Sequence, residues 1–331
     1  MKLVERIEAM SELGKYLRQN TEEWQDAKQK AFQANAWFIP EFIDLATDNI
    51  ISQFLEKESL GKWSQYYYLD DNISPREVGI IMAGNIPMVG FHDMLCCFIS
   101  GHKQKIKLSS KDNILIKYLV ETLYVLAPPT QMYISFADML KGCDAYIATG
   151  NNNSSRYFHQ YFGAYLSIIR KNRTSVCILS GNESDKQLEQ LADDVYQYFG
   201  LGCRNVTKLF VPEKYDFVRL LAAFKKYDKL KDHAKYKNNY DYYLAIQIMN
   251  NRYYMTNDTI ILTEDKQPFS AISTLHYSYY DNTVLLINNL KKDNNVQCII
   301  GEGITDFGQS QKPGLFTYAD GVDTMQFLLA I

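Results

Sequence analysis

Apolar residues recur at helical spacing over 2–19 and again over 22–57, where Pro40 interrupts them. That pattern predicts two or three helices, with Thr21 as an N-cap and Glu23 in the first turn after it. Near residue 78 the rhythm changes. Short apolar runs of strand length fall at 78–83, 104–108, 132–135, 145–149 and 175–179. Helical stretches separate them: from the 84–87 loop to about residue 100, then 112–126, 154–165 and 184–199. Alternation of this kind predicts a parallel sheet covered by helices on both faces. Beyond residue 200, strands are expected at 208–211, 258–263, 271–277, 283–288 and 296–300, with a helix at 214–224. A Gly-rich stretch, GEGITDFGQSQKPG, precedes the final YADGVDTMQFLLAI. No repeat or low-complexity linker is visible, so the domain boundary is placed near 200 on the change of rhythm alone.

The 331 residues correspond to about two domains, enough for a hydrophobic core without disulfide or metal staples. At 47% apolar and 22% charged residues, the composition excludes a disordered chain. The net charge of −3 argues against a dedicated nucleic-acid binder, and no basic stripe accompanies the 25 scattered tyrosines. No apolar run approaches the length of a membrane span, and charges punctuate the first twenty residues where a signal peptide would be uninterrupted. A cytoplasmic location with reduced thiols is therefore expected. The polar, basic stretch 225–240 reads as a solvated helix and loop rather than a binding patch.

Common catalytic signatures are missing: no GxGxxG after a strand, no Walker A, no HExxH, no GxSxG and no Cys/His set at zinc spacing. Three loops sit where an open parallel sheet takes ligands, at strand carboxyl ends. They are Ala83-Gly84-Asn85-Ile86-Pro87, Lys107-Leu108-Ser109-Ser110, and the polar run Thr149-Gly150-Asn151-Asn152-Asn153-Ser154-Ser155. The last opens a helix, so its amides suit a phosphate, although ordinary N-capping explains it equally well. Five of the six cysteines lie in or beside apolar stretches and read as small buried hydrophobes. Cys203 differs: it follows Gly200-Leu201-Gly202 and precedes Arg204, which favours an accessible thiolate. Among the five histidines, His92 and His276 are weak candidates for a partner, each with a core role as the simpler account.

Taken in order, these loops resemble the aldehyde dehydrogenase superfamily over residues ~70–215. They are more closely similar to the acyl-CoA reductases typified by the reductase subunit of the bacterial bioluminescence fatty-acid reductase. The tail DFGQSQKPGLFTYADGVD resembles short members of that family. The resemblance implies an α/β fold with a Rossmann-type parallel-sheet cofactor domain and an α/β catalytic domain. It places N-terminal helices and the cofactor domain at 1–199, the thiol domain at 200–310, and a tail at 311–331 returning to the cofactor domain. It matches Asn85 to the asparagine whose amide helps hold an oxyanion, Lys107 to the lysine reaching the adenosine ribose, and Thr149-Gly150-Asn151 to the turn near the pyrophosphate. Cys203 falls at the nucleophile, seven residues before Phe210-Val211.

Where NAD-preferring dehydrogenases often carry a glutamate, this chain has Ser110, beside Ser109. A neutral residue there leaves room for a 2′-phosphate, so NADPH is expected ahead of NADH. The segment 178–181 lacks the glutamate that activates water in aldehyde-oxidising members, which suits reduction of an activated acyl group better than hydrolysis of a thioester. A second cofactor contact would fall near Gln267 and Phe269. The implied activity is reduction of a long-chain acyl-CoA to a fatty aldehyde through a thioester on Cys203. An acyl-activating partner protein and a homo-oligomer are expectations of the same kind. Acyl phosphate, acyl adenylate or acyl-carrier protein remain alternative donors. A non-catalytic nucleotide- or partner-binding protein is the alternative of another class, and a methyltransferase-like protein ranks last because its second strand would end in an acidic residue rather than Lys107.

Overall fold

The computed structural model describes all residues, Met1–Ile331, and divides them into two compact units. Residues 1–172 and 313–331 form the first, and residues 173–312 the second.

The first unit opens with four helices: α1 (Leu3–Gln19), α2 (Glu22–Ala34), α3 (Pro40–Phe54) and α4 (Lys57–Tyr66). Thr21 caps α2 by accepting from the Trp24 amide at 3.4 Å, with Glu22 and Glu23 in the first turn. Pro40 starts α3, where its missing N–H costs nothing. Then follow β1 (Glu77–Ile81), α5 (Phe91–Ile99), β2 (Lys103–Lys107), α6 (Leu115–Leu126), β3 (Ile134–Phe136), β4 (Ala145–Thr149), α7 (Asn152–Phe162) and β5 (Leu166–Arg170). The five strands make one wholly parallel sheet in the order β3-β2-β1-β4-β5. That order reverses direction between β1 and β4, the switch point at which doubly wound sheets bind ligands beyond their strand carboxyl ends. Val78 and Ile80 of β1 and seven of the nine residues of α5 are buried, so the loop joining β1 to α5 is fixed at both ends.

The second unit contains β6 (Thr174–Ile178), α8 (Asp185–Tyr196), β7 (Val206–Val211), α9 (Phe217–Ala223), α10 (Ala234–Met249), β8 (Met255–Thr256), β9 (Ile261–Glu264), β10 (Thr274–Tyr279), α11 (Thr283–Lys292) and β11 (Val296–Ile300). Its sheet runs β11-β6-β7-β10-β9-β8, parallel except for β8 against β9. One face packs Val176, Ile178 and Phe210 against Leu286, Ile287 and Leu290 of α11. The chain then re-enters the first unit and ends in α12 (Thr324–Leu329).

Two expectations are corrected, and one strand was missed. The boundary lies at 172/173 rather than near 200, because β6 pairs with β7 and β11 and so belongs to the second sheet. Residues 283–288 are helical: the Asn282 side chain accepts from the Leu285 amide and Lys291 and Lys292 occupy the last turn, both helix-favouring devices that outweigh a short β-branched run. Strand β5 has no counterpart in the sequence reading, because its five residues follow directly on a helix and carry no clear alternation. No helix is long and apolar enough to cross a membrane.

Candidate active site

The carboxyl edge of the first sheet gathers seven of the residues singled out from sequence. Asn85 lies half-buried in the loop between β1 and α5, Lys107 ends β2, and Ser109 and Ser110 follow it. Thr149 ends β4 and Gly150-Asn151 lead into α7. The first two loops interlock. The Met82 amide donates to the Lys107 carbonyl at 3.1 Å. At Gly84 a Cβ would stand 2.6 Å from Ser109 Oγ and 3.1 Å from the Asp112 nitrogen, so only glycine fits. Ser109 Oγ also accepts from the Lys111 amide at 3.2 Å, which commits Ser109 to the turn. Lys107 and Ser110 remain exposed. Asn151 caps α7 by accepting from the Ser154 amide at 2.8 Å, so its side chain serves the helix. The edge thus offers an exposed ammonium, an exposed hydroxyl and the start of an eleven-residue helix at the switch point. This donor set fits an anionic dinucleotide.

Two charged residues that sequence reading missed organise this edge. Arg170, at the end of β5, is 3% exposed. It pairs with Asp93 in the first turn of α5, and donates to Thr149 Oγ1 at 3.3 Å and to Thr324 Oγ1 at 2.9 Å. One guanidinium therefore joins the β4 turn to the C-terminal helix. Asp112 is 5% exposed and its Oδ2 accepts from the Met88 amide at 2.6 Å. Burial pushes its carboxyl up to about 7, against the opposing pull of the Met88 and Leu115 amides. A carboxyl raised above its unfolded value near ~4 binds its proton more tightly when folded, so stability falls as pH climbs from that value through about 7. Asp112→Asn, which copies the neutral form, should flatten this slope. Chemical denaturation should find the variant gaining on wild type by on the order of 3 kcal/mol between about pH 5 and about pH 8. An equal gap at both pH values would contradict the assignment.

His92 is an aromatic core residue. Its ring stacks on Phe54 at 4.7 Å and on Tyr318 of the C-terminal segment at 5.4 Å. Trp63 Nε1 donates to Tyr318 Oη, which donates to Tyr67 Oη, which donates to Asp323, and this chain pins residues 313–331 to α4.

Cys203 belongs to the second unit, in the loop entering β7, and is half-buried. The approach to it is unusual: Tyr198, Phe199 and Gly200 have φ of 53°, 58° and 74° in succession. Left-handed backbone costs a non-glycine residue roughly 1–2 kcal/mol, so tertiary contacts must hold this turn. Asn205, with 0% exposure, does much of that. Its Oδ1 accepts from the Gly202 amide at 2.8 Å, and its Nδ2 donates to the carbonyls of Asp194, Val195 and Gln197. The Cys203 carbonyl accepts from Ser175 Oγ at 3.0 Å. Cys203 is thus presented on a rigid loop. Cys96, Cys97, Cys143 and Cys177 are buried, and burial raises each thiol. Cys298 is half-buried on β11 with its thiol 3.4 Å from Thr305 Oγ1.

The loop after β6 does contain a carboxylate, three residues past Ser180. Glu183 is buried, and its oxygens accept from the Ser180 amide, Ser180 Oγ at 2.9 Å and the Gly181 amide at 3.2 Å. It is spent on the loop. His276 Nδ1 donates to the Gln267 carbonyl at 2.9 Å, and the neighbouring buried Lys208 donates to the Asp265 carbonyl. Burial lowers His276 and brings Lys208 down to about 8. The basic stretch is largely self-neutralised, with Lys226 on Asp193, Lys231 on Asp228 and Lys237 on Asp241.

No family model matches this sequence, and no curated protein matches it. Solved structures do. The chain is similar to aldehyde dehydrogenase 21 from Physcomitrella patens, solved with its product succinate: 12% identity, TM-score 0.67, covering 91% of this chain and 74% of the other. An NAD-dependent aldehyde dehydrogenase from Sinorhizobium meliloti aligns at 13% identity and TM-score 0.67, over 94% of this chain and 72% of the other. Succinic semialdehyde dehydrogenase from Streptococcus pyogenes, solved with NADP+, aligns at 14% identity and TM-score 0.64, over 90% and 76%. Two parallel-sheet units, the first with a switch point and the second with a half-buried cysteine before its third-ranked strand, thus make up a chain with the aldehyde dehydrogenase fold.

Proposed function

We propose that the protein is an acylating, nicotinamide-dependent reductase that converts a long-chain acyl-CoA to the aldehyde, with Cys203 as nucleophile. The observation that carries this reading is the half-buried Cys203 on its pinned, left-handed loop, within this fold. Cys203 Sγ, as thiolate, forms a bond to the acyl carbon; the carbon–sulfur bond to coenzyme A breaks, and the released thiolate takes up a proton. Sulfur suits both halves of the reaction, being a good nucleophile and a good leaving group. By the sequence resemblance, the Asn85 amide and the backbone N–H of the nucleophile would be the donors to the developing oxyanion, where loss of one donor costs about 100- to 1,000-fold. Glu183, the carboxylate of the loop after β6, is committed to its own loop, which leaves no base for water attack on the thioester from there. When bound, the dinucleotide supplies a hydride equivalent. Lys107, Ser110 and the N-terminal amides of α7, just past the Thr149-Gly150-Asn151 turn, would hold it, with Arg170 fixing Thr149.

Purified protein mixed with acyl-CoAs of increasing chain length should oxidise NADPH faster than NADH, followed as loss of nicotinamide absorbance. Ser110→Glu sets a carboxylate against a 2′-phosphate and should turn the preference towards NADH by about tenfold or more. Failure to oxidise either cofactor with any activated acyl donor would sink the reading. Acyl phosphates, acyl adenylates and acyl-carrier protein belong in the donor panel, and addition of an acyl-activating protein tests for a required partner.

A further inference from the structure

We propose that Asp112 is a positioning residue that locks the Asn85 loop onto the Lys107–Ser110 loop by holding the Met88 backbone amide. The proposal rests on the functional reading above and adds to it a residue that neither motif nor resemblance marks. Four observations converge. Met88 closes the Asn85-Ile86-Pro87 turn with φ of 55°, a left-handed conformation at a buried, non-glycine residue that must be held from outside. Its N–H points to Asp112 Oδ2 at 2.6 Å, a link across 24 residues of sequence. The Asp112 backbone is itself fixed, since its amide donates to the Ser109 carbonyl at 3.1 Å and its nitrogen lies 3.1 Å from the Cβ position of Gly84. Finally, Asp112 Oδ1 is buried and meets no donor in hydrogen-bond geometry, so the carboxylate is kept there at a cost in solvation.

A buried carboxyl with no cation beside it adds little as a fold-stabilising device. It is better placed to fix geometry. The Met88 amide gains an acceptor that no backbone carbonyl supplies, and the loop carrying Asn85 is thereby set relative to the loop carrying Lys107 and Ser110. A shift of about an ångström in an oxyanion donor is enough to slow the chemistry about 100-fold. Asp112 touches no reacting atom in this scheme; it acts through Met88 and Asn85.

The test uses the full chain, a long-chain acyl-CoA without cofactor, and intact-mass measurement of the acyl adduct on Cys203, with NADPH affinity measured in parallel by cofactor fluorescence. Asp112→Ala removes the acceptor and should slow acylation by about 10- to 100-fold well below its melting temperature. Asp112→Asn retains an oxygen for the Met88 amide and should recover the rate to within about threefold of wild type. Rescue by the isosteric variant is the readout that a general loss of stability would not give. If Asp112→Ala does not yield folded protein, Asp112→Glu takes its place: one extra methylene displaces the acceptor, and slowed acylation is expected. A folded Asp112→Ala or Asp112→Glu that acylates at the wild-type rate overturns the proposal, as does an Asp112→Asn as slow as the alanine variant. A wild-type protein that neither acylates Cys203 nor binds NADPH instead overturns the functional reading, and this role with it.

Discussion

Cys203→Ala is expected to abolish acyl-CoA-dependent NADPH oxidation, leaving at most the background rate, while dinucleotide affinity stays within about twofold of wild type. The reasoning is local. Cys203 is the nucleophile of the proposed reaction, and no neighbouring thiol substitutes for it: Cys177, on the adjoining strand β6, is buried and its thiol is raised well above the ordinary range. Removing a nucleophile removes the pathway rather than weakening it, so the loss should equal the whole catalysed rate. Cofactor affinity should persist because Lys107, Ser110 and the Thr149-Gly150 turn belong to the other unit. The loop should also keep its shape, since Asn205 and Ser175 hold the backbone and not the sulfur. Undiminished oxidation in Cys203→Ala or Cys203→Ser would remove the central residue from the account.

The second large effect is on stability. Arg170→Met should destabilise the first unit by about 3 kcal/mol, because the Asp93 carboxylate, 13% exposed, is then left without its cation. The same substitution takes away the donors to Thr149 Oγ1 and Thr324 Oγ1. Two consequences should appear together in chemical denaturation and limited proteolysis: an earlier unfolding transition and faster cleavage within 313–331. The double variant Arg170→Met with Asp93→Leu should recover much of the loss, since an apolar pair of similar volume replaces a desolvated ion pair at little cost. Wild-type denaturation of the single variant would show that the ion pair is idle.

Reading the sequence reached the parts of this molecule that depend on neighbours in the chain. The run at 78–83 and the mostly apolar segment that became α5 are largely buried and leave little ambiguity. Thr21 marks a helix start by local chemistry and caps α2, whereas Pro40, read only as an interruption, begins α3. The loops bearing Asn85, Lys107 and Thr149 were legible because a parallel strand has to end in a loop on the ligand edge. What escaped was set by distance. Arg170 and Asp93 meet across 77 residues, and each alone looks like a surface charge. The Asp112 contact to Met88 joins two segments 24 residues apart, and nothing in the sequence marks it. The left-handed run at Tyr198 and Phe199 is invisible in sequence, because neither residue type favours that backbone. Residues 283–288 failed differently: a β-branched start misled, and the deciding N-cap, Asn282, lies one residue outside the apolar run.

The central claim is that Cys203 carries the acyl group. The most direct measurement is to mix the protein with a long-chain acyl-CoA in the absence of cofactor, digest it, and locate the acyl mass by peptide sequencing. The account predicts a single thioester on the peptide containing Cys203, discharged when NADPH is added, with release of the aldehyde. A stable adduct on Cys298 or another residue, or no adduct although acyl-CoA is consumed, would contradict it.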